Sequence, residues 1–256
     1  MQHIFSQDAA YRNVKITIMY DGSHYHGWQI QQNAVTVQEV FQNALANIIG
    51  DDYDVKGCSR TDTGVHANMY CIGLRTNHKI PPERLKAALN RHLPNSIAVT
   101  ECEEAEKDFH PRYDCKRKQY IYKIWNNEVR NPFLDGYALH YRYNNLDIEK
   151  LNKACSYYIG THDFTSFCTP DKRREGDMCR TVYEAKVHRD GNFVVYTVEA
   201  NGFLYNMVRI MTGTLLRVAE GRIQPDEIPH IIEKKNRKFA GPTAPACGLY
   251  LNKVVY

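Results

Sequence analysis

A carboxylate, a guanidinium and an imidazole lie within seven positions of one another, at Arg60, Asp62 and His66. They belong to the segment GCSRTDTGVHA at residues 57–67, which lies between two predicted strands and is therefore a turn at a sheet edge. Turn residues held by a rigid scaffold often carry function, and an ionised aspartate can act as a nucleophile or a base. The alternative is an Asx turn at Asp62 with Arg60 as a surface charge.

Arg209 is a second candidate, one turn into the apolar helix predicted from Asn206 to Ala219. An arginine on such a stretch needs a partner because an unpaired buried charge is costly. A carboxylate such as Asp62 would serve as that partner. The alternative is that the side chain of Arg209 extends to solvent.

Basic and aromatic residues alternate in FHPRYDCKRKQYIYK at residues 109–123. This composition is typical of a surface that binds single-stranded nucleic acid, by charge and by stacking. The period of a strand places Tyr120 and Tyr122 on one face. Aromatic residues of an ordinary core give the same pattern, so both interpretations stay open.

Two polar, basic segments are predicted to be loops, at residues 168–180 and 234–245. They are either solvated linkers or contact surfaces for an anionic polymer, since their cations can pair with phosphates. The cations are Lys172, Arg173, Arg174, Lys234, Lys235, Arg237 and Lys238.

Composition narrows the class of protein. The chain has 256 residues, 43% of them hydrophobic, which excludes a disordered chain. The 33 basic and 29 acidic residues give a net charge of +4, too small to establish a nucleic-acid partner. Eight cysteines without a CxxC pair argue against a zinc ribbon, and we expect no metal. Without a recognisable signal peptide or membrane span, we expect a cytoplasmic protein with reduced thiols.

The elements that must position these side chains follow a recurrent order. The first half predicts a strand, helix, two strands, helix and strand, the order of a ferredoxin-like split unit. The predicted elements are Val14–Tyr20, a helix after the N-cap Thr36 that ends at Gly50, Tyr53–Cys58, Ala67–Leu74, a helix from Pro81-Pro82 to before Pro94, and Ile97–Cys102.

The second half repeats this order loosely. Its predicted elements are Gln119–Trp125, a helix from Asn145 to about Tyr158, a hairpin of Val182–Arg189 and Asn192–Ala200, helices Asn206–Ala219 and Pro225–Lys235, and Leu249–Val255. We therefore expect an α+β fold: two ferredoxin-like halves in tandem, sharing a mostly antiparallel sheet, with an active-site cleft between them. The expected halves are residues 1–108, carrying the aspartate, and 109–256, carrying the tyrosine and arginine.

Five ordered motifs across essentially the whole chain resemble the tRNA pseudouridine synthase A family. The opening YDGSHYHGWQIQ at residues 20–31, followed by Thr36-Val-Gln, resembles that family's N-terminal motif. The segment RTDTGVHA at 60–67 resembles its active-site loop. The later motifs are QYIY at 119–122, FLYNMVR at 203–209 and APACGL at 244–249. The chain departs from the family pattern at Pro111, where a small residue is usual.

The resemblance implies a function and a role for each residue. It implies isomerisation of uridine to pseudouridine at positions 38, 39 and 40 in the anticodon arm of tRNA, by a homodimer that uses no cofactor or metal. Asp62 would be the nucleophile, Arg209 its ion-pair partner, Tyr120 the ring that stacks on the target base, and Leu249 an apolar wall of the pocket. We further expect substrate contacts from a wider set: Arg60, Phe109, His110, Arg112, Lys172, Arg173 and Arg174.

The chemistry leaves some choices open. The carboxylate of Asp62 could attack C1′ of the sugar or C6 of the base, or act as a base at C2′. Tyr120 could also remove the C5 proton, but its phenol pKa near 10 ranks that role below stacking. Two rival functions are a non-catalytic tRNA- or RNA-binding protein on the same fold and a small-molecule hydrolase using Asp62 and His66. Glycoside hydrolysis generally uses two carboxylates, and the only other acid near a motif, Asp21, is interpreted as a turn residue.

Overall fold

The computed structural model describes residues 11–143, 145–170 and 176–256. The chain divides into two compact units, Met1–Cys115 together with Tyr256, and Lys116–Val255. Both are mixed α/β, with antiparallel strand pairing predominating.

The first unit contains the six elements that the sequence predicts, in the predicted order. They are β1 (Arg12–Tyr20), α1 (Val37–Ile49), β2 (Tyr53–Gly57), β3 (His66–Thr76), α2 (Pro82–His92) and β4 (Ile97–Ala105). The observed bounds differ from the predicted ones by at most three residues, because regular alternation in the strands and clear stop signals in the helices define them locally.

The four strands of this unit pair in the order β4-β1-β3-β2, and every pair is antiparallel. Along β1, Val14, Ile16 and Ile18 are fully buried on one face. Val14 and Ile16 lie opposite Leu74 and Ile72 of β3, so apolar side chains of neighbouring strands fix the register.

Local signals define the ends of α1. The Thr36 hydroxyl accepts a hydrogen bond from the Glu39 backbone N–H at 3.3 Å, which confirms the predicted N-cap. Gly50 ends the helix with a φ of 73°, in the region that favours glycine, and donates its N–H to Ala46.

Within its described residues, the second unit contains six strands and three α-helices. They are β5 (Arg117–Asn126), β6 (Leu139–Tyr141), α3 (Ile148–Ser156), β7 (Gly160–Asp163), β8 (Cys179–Asp190), β9 (Phe193–Ala200), α4 (Met207–Ala219), α5 (Ile228–Glu233) and β10 (Leu249–Val255). The short strands β6 and β7 are absent from the sequence prediction, because three or four residues are too few to show alternation. The predicted helix Pro225–Lys235 is instead a 3₁₀ turn, Pro225–Glu227, followed by α5.

The sheet of the second unit runs β10-β5-β9-β8-β7, all antiparallel, with β6 parallel to the end of β5. The predicted hairpin turn is confirmed at Gly191, whose φ of 56° suits glycine in a tight connection between β8 and β9. One face of β9 and β5, including Tyr122 and Tyr196, is buried.

The segment at 234–245 is neither a free linker nor merely a charged surface. Its Gly241 backbone N–H donates to the Thr214 hydroxyl of α4 at 2.9 Å. Pro242 lies so close to Gly213 of α4 that a Cβ on Gly213 would be 1.7 Å from the Pro242 carbonyl oxygen. The part of the segment at Gly241 and Pro242 is therefore packed against α4, which only tertiary contacts reveal.

None of the eight cysteines, all within the described residues, forms a disulfide. Burial raises the pKa of the Cys71 thiol to about 11. In the part of the chain that the structure describes, no helix combines the length and apolarity needed to cross a membrane.

Candidate active site

Asp62 lies in the loop between β2 and β3, where its side chain is half-buried. Its carbonyl accepts a hydrogen bond from the Val65 N–H at 3.1 Å, and Gly64 between them has a φ of +77°. This is a backbone turn whose third residue requires glycine. The sequence suggests an Asx turn through the Asp62 side chain, whereas the turn described here is closed by backbone atoms.

The residue before Asp62 is fastened to the unit's interior. The Thr61 side chain is hydrogen-bonded to the Tyr20 hydroxyl at 2.8 Å, and its carbonyl accepts from the Trp28 N–H at 3.3 Å. Tyr20 and Trp28 are 4% and 2% exposed. Gly27 passes so close that a Cβ would lie 2.3 Å from the Thr61 carbonyl oxygen. The backbone of the loop therefore has little freedom at Thr61.

The far end of the loop is fixed in a similar way. The Gly22 N–H donates to Nδ1 of the buried His66 at 3.1 Å. A Cβ at Gly22 would lie 2.0 Å from the Val65 carbonyl oxygen. Asp21 accepts from the Ser23 N–H at 2.9 Å and lies 3.2 Å from Nδ1 of His66. These contacts give His66 and Asp21 roles in holding the chain.

A stacked aromatic pair supports the base of the loop. The Trp28 and Tyr70 rings stack with centroids 4.2 Å apart, and the Tyr70 hydroxyl donates to the Ser59 carbonyl. Gly57 packs directly against both rings, where a Cβ would lie 2.1 Å from the tyrosine oxygen. The segment 20–28, recognised from the sequence only as a motif, is therefore the support of the Asp62 loop.

Tyr120 lies in β5, between Val198 of β9 and Leu251 of β10. It is 6% exposed, and its ring meets that of Phe203 edge to face with centroids 5.0 Å apart. Both positions lie in the motifs that the resemblance singles out. The strand fixes the Tyr120 backbone, and the Phe203 ring restricts rotation of its side chain.

Arg209 lies in the first turn of α4 and is half-buried. Its Nε donates to the Ala244 carbonyl at 2.8 Å, and one terminal nitrogen donates to Oδ1 of Asn206 at 2.9 Å. Asn206 was missed by the sequence reasoning, although an asparagine just before a helix is a recognisable signal of a special backbone position.

Leu249 begins β10 opposite Tyr122 and is 5% exposed. The Tyr122 hydroxyl donates to the Pro245 carbonyl at 2.8 Å, and burial raises the pKa of this phenol. Gly248 packs on the Tyr122 ring, where a Cβ would lie 2.7 Å from it. Leu249 is thus buried within the second unit, and its role as an apolar wall of the pocket stays a prediction.

The predicted substrate contacts of the first unit have mixed exposure. Arg60 and Arg112 are exposed, while Phe109 and His110 are half-buried. The Phe109 ring packs edge to face on Tyr256, with centroids 5.2 Å apart. Nδ1 of His110 accepts the Arg112 N–H at 3.1 Å. Phe109 and His110 thus also shape their own segment, and Arg60 and Arg112 offer charge to solvent.

Pro111, the departure from the family pattern, packs against Gly73 of β3. A Cβ at Gly73 would lie 2.8 Å from the proline ring, and the Pro111 carbonyl accepts from the Tyr256 hydroxyl at 2.8 Å. The proline is accommodated by the absence of a side chain on the neighbouring strand.

The predicted cationic contacts Lys172, Arg173 and Arg174 lie outside the described residues. In the other basic segment, Lys235 forms an ion pair with Asp163 at 3.0 Å. Arg237 donates to the Ala240 carbonyl and the Thr243 hydroxyl, at 3.3 and 3.2 Å. Lys235 therefore links this segment to β7, and Arg237 bonds within its own loop.

Among the residues described here, no group of three or more histidine, cysteine or acidic side chains is arranged to hold a metal ion.

An α/β protein with a rigidly presented aspartate, and with a buried strand tyrosine and an anchored arginine in its second unit, fits a pseudouridine synthase. The profile of the family described as tRNA pseudouridine synthase matches residues 16–114 and 154–256. The chain belongs to the tRNA pseudouridine synthase family.

Individual relatives agree with the family match. The chain is 48% identical to tRNA pseudouridine synthase A of Thermoanaerobacter sp. strain X514, over 96% of this chain and 100% of the relative. It is 45% identical, with the same coverage, to the proteins of that name from Acetivibrio thermocellus and Clostridium acetobutylicum. These matches run along almost the whole sequence.

Proposed function

We propose that this protein isomerises uridine to pseudouridine in tRNA. The observation that carries the proposal is the nearly full-length similarity to enzymes named tRNA pseudouridine synthase A. The firmly held carboxylate loop of the first unit supports it, because a reaction at a sugar or base carbon requires a precisely placed group.

The reaction conserves atoms. The bond between C1′ and N1 breaks, the uracil turns, and a bond between C1′ and C5 forms. The proton leaves C5 and N1 gains one, so no oxidant or second substrate is consumed. One carboxylate that acts first on the nucleoside and is then regenerated suffices for such an isomerisation.

We propose Asp62 as that carboxylate. Its half-buried position leaves part of the side chain accessible, while the Tyr20–Thr61 hydrogen bond and the turn closed by Val65 fix its backbone. Attack at C1′, attack at C6 and proton removal at C2′ are three roles that this placement supports equally. All three require the ionised form of Asp62.

We propose that Arg209 pairs with Asp62, as the family resemblance implies. A guanidinium beside a carboxylate favours the ionised form and can orient it through two hydrogen bonds. Tyr120 is proposed to stack on the target uracil. Extruding a base costs a few kcal/mol, and stacking returns about 1–3 kcal/mol per base, so such a ring offsets much of the cost.

The finer assignments follow from the family resemblance. They are uridines 38, 39 and 40 of the anticodon arm as targets, a homodimer as the active form, and the cytoplasm as the location. Two ferredoxin-like halves in tandem are proposed for the fold, with the aspartate in the first and the tyrosine and arginine in the second. The strand order β4-β1-β3-β2 of the first unit supports that assignment for the first half.

The function is tested with tRNA transcripts tritiated at C5 of uridine. The protein is expected to release one tritium for each target uridine, with pseudouridine mapped at the anticodon arm. Asp62→Asn and Asp62→Ala are expected to abolish release without loss of tRNA binding, because they remove only the reacting carboxylate.

Asp21→Asn is the matched control. Asp21 is the other acid in a family motif, and asparagine keeps the acceptor that Ser23 uses. Tritium release is therefore expected to persist in this variant. Release by Asp62→Ala at the rate of the unmodified protein would contradict the assignment, and absence of release by the unmodified protein would contradict the function.

A further inference from the structure

The guanidinium of Arg209 is held at two points within its own unit. Oδ1 of Asn206 accepts from one terminal nitrogen at 2.9 Å, and the Ala244 carbonyl accepts from Nε at 2.8 Å. The two acceptors bind different edges of one planar group. Together they fix its position and also its rotation about the side-chain axis.

The first acceptor is itself fixed. The backbone of Asn206 has a φ of 61° and a ψ of 8°, the left-handed conformation that asparagine tolerates better than most residues. Its Nδ2 donates to the Thr169 hydroxyl at 2.9 Å. With Nδ2 directed to Thr169, Oδ1 is directed to Arg209, so the threonine selects the orientation of the amide.

The second acceptor is fixed by the loop that carries it. The Ala244 N–H donates to the Arg209 carbonyl at 3.0 Å, so the two residues are bonded in both directions. Close packing of Pro242 on Gly213 and the hydrogen bond from Gly241 to Thr214 hold the same loop on α4. This loop, residues 236–245 of the basic segment at 234–245, thus brings the Ala244 backbone carbonyl to Arg209.

We propose that Asn206 is a positioning residue for the isomerisation, acting through Arg209, with the Ala244 carbonyl as its partner. This inference rests on the proposed role of Arg209. A guanidinium held at two points needs no rearrangement before it orients a carboxylate. Such preorganisation lowers the barrier of the chemical step and leaves the affinity for substrate unchanged.

The test is Asn206→Gly in the full chain, assayed with tritiated tRNA. Glycine keeps the left-handed backbone accessible and removes the amide. We expect kcat to fall about 10- to 100-fold, with KM for tRNA and the melting temperature nearly unchanged. Thr169→Val is expected to lower kcat in the same way, by freeing the amide to turn, and Thr169→Ser is expected to preserve it.

Each contrary outcome has a distinct meaning. A normal kcat for Asn206→Gly, or equal losses in Thr169→Val and Thr169→Ser, would overturn the positioning role. Arg209→Ala is assayed alongside. If it is fully active, the proposed role of Arg209 fails; if it is inactive while Asn206→Gly is fully active, only the present inference fails.

Discussion

The hydroxyl of Tyr20 is hydrogen-bonded at 2.8 Å to the hydroxyl of Thr61, the residue immediately before Asp62. Both residues are buried, 41 positions apart in sequence. The end of β1 and the loop after β2 are therefore joined directly beside Asp62, the proposed reacting carboxylate. Tyr20 is also the first residue of the N-terminal motif.

Tyr20→Phe removes that hydrogen bond and leaves the Thr61 hydroxyl without this partner. We expect a loss of about 1 kcal/mol in the free energy of unfolding, and a fall in kcat of about tenfold from misplacement of Asp62. Urea denaturation and tritium release measure the two effects.

Tyr25→Phe is the control for this prediction. The Tyr25 hydroxyl is bonded to Ser96 at 2.6 Å, so the variant loses a comparable hydrogen bond from the same segment. It should lose similar stability and retain kcat. Equal losses of kcat in both variants would show that the contact with Thr61 has no special role.

Gly22→Ala places a methyl group 2.0 Å from the Val65 carbonyl oxygen. Because the obstacle is backbone, the loop has to move, and we expect about 2–3 kcal/mol of destabilisation together with loss of activity. Thermal unfolding measures the first effect. Gly202→Ala, where the nearest atom is the Arg180 side chain at 3.6 Å, should be tolerated; similar losses at the two glycines would count against the crowding argument.

Gly213→Ala separates helix propensity from tertiary packing. Alanine in a helix is more favourable than glycine by about 1 kcal/mol, so propensity alone predicts stabilisation. The contact with Pro242 predicts the opposite sign, about 2–3 kcal/mol of destabilisation, because the loop at 236–245 must lift from α4. A raised melting temperature would refute the close packing, and a lowered one with reduced kcat would support it.

Replacement of Lys172, Arg173 and Arg174 by alanine tests the basic segment as a tRNA contact. Loss of three phosphate contacts should reduce the magnitude of the negative slope of log K for tRNA binding against log salt concentration by about 2 to 3. A triple alanine variant at Lys56, Lys79 and Lys153 changes the net charge equally and serves as the comparison. The same slope in the two triple variants would assign the effect to net charge alone.

Local patterns were sufficient for most of the secondary structure. The alternation of β1 and the capping residue Thr36 act over a few residues, so the sequence shows them directly. The strands β6 and β7 were not predicted, because they are defined by pairing with distant strands and not by a local pattern. The helix at 225–235 was predicted too long because proline at 225 and at 229 interrupts a pattern that is apolar but not continuously helical.

The candidate site shows the same difference between what local sequence indicates and what tertiary contacts add. The proposed site residues Asp62, Tyr120 and Arg209 follow from the family motifs, that is, from residue types and their order alone. The family motifs also contain Tyr20, Trp28 and Asn206, but the sequence does not show what these residues contact, because partners such as Thr61 and Thr169 lie far along the chain.

The amino-acid sequence by itself determined the element order of the first half, the family and the candidate reactive side chains, because these depend on short-range periodicity and on residue identity. Only the tertiary structure decided how the chain holds them: Tyr20 on Thr61, Asn206 and Ala244 on Arg209, and Pro242 against Gly213. Those contacts depend on which distant backbones approach within hydrogen-bonding or van der Waals distance, and that distance exists only after the chain has folded.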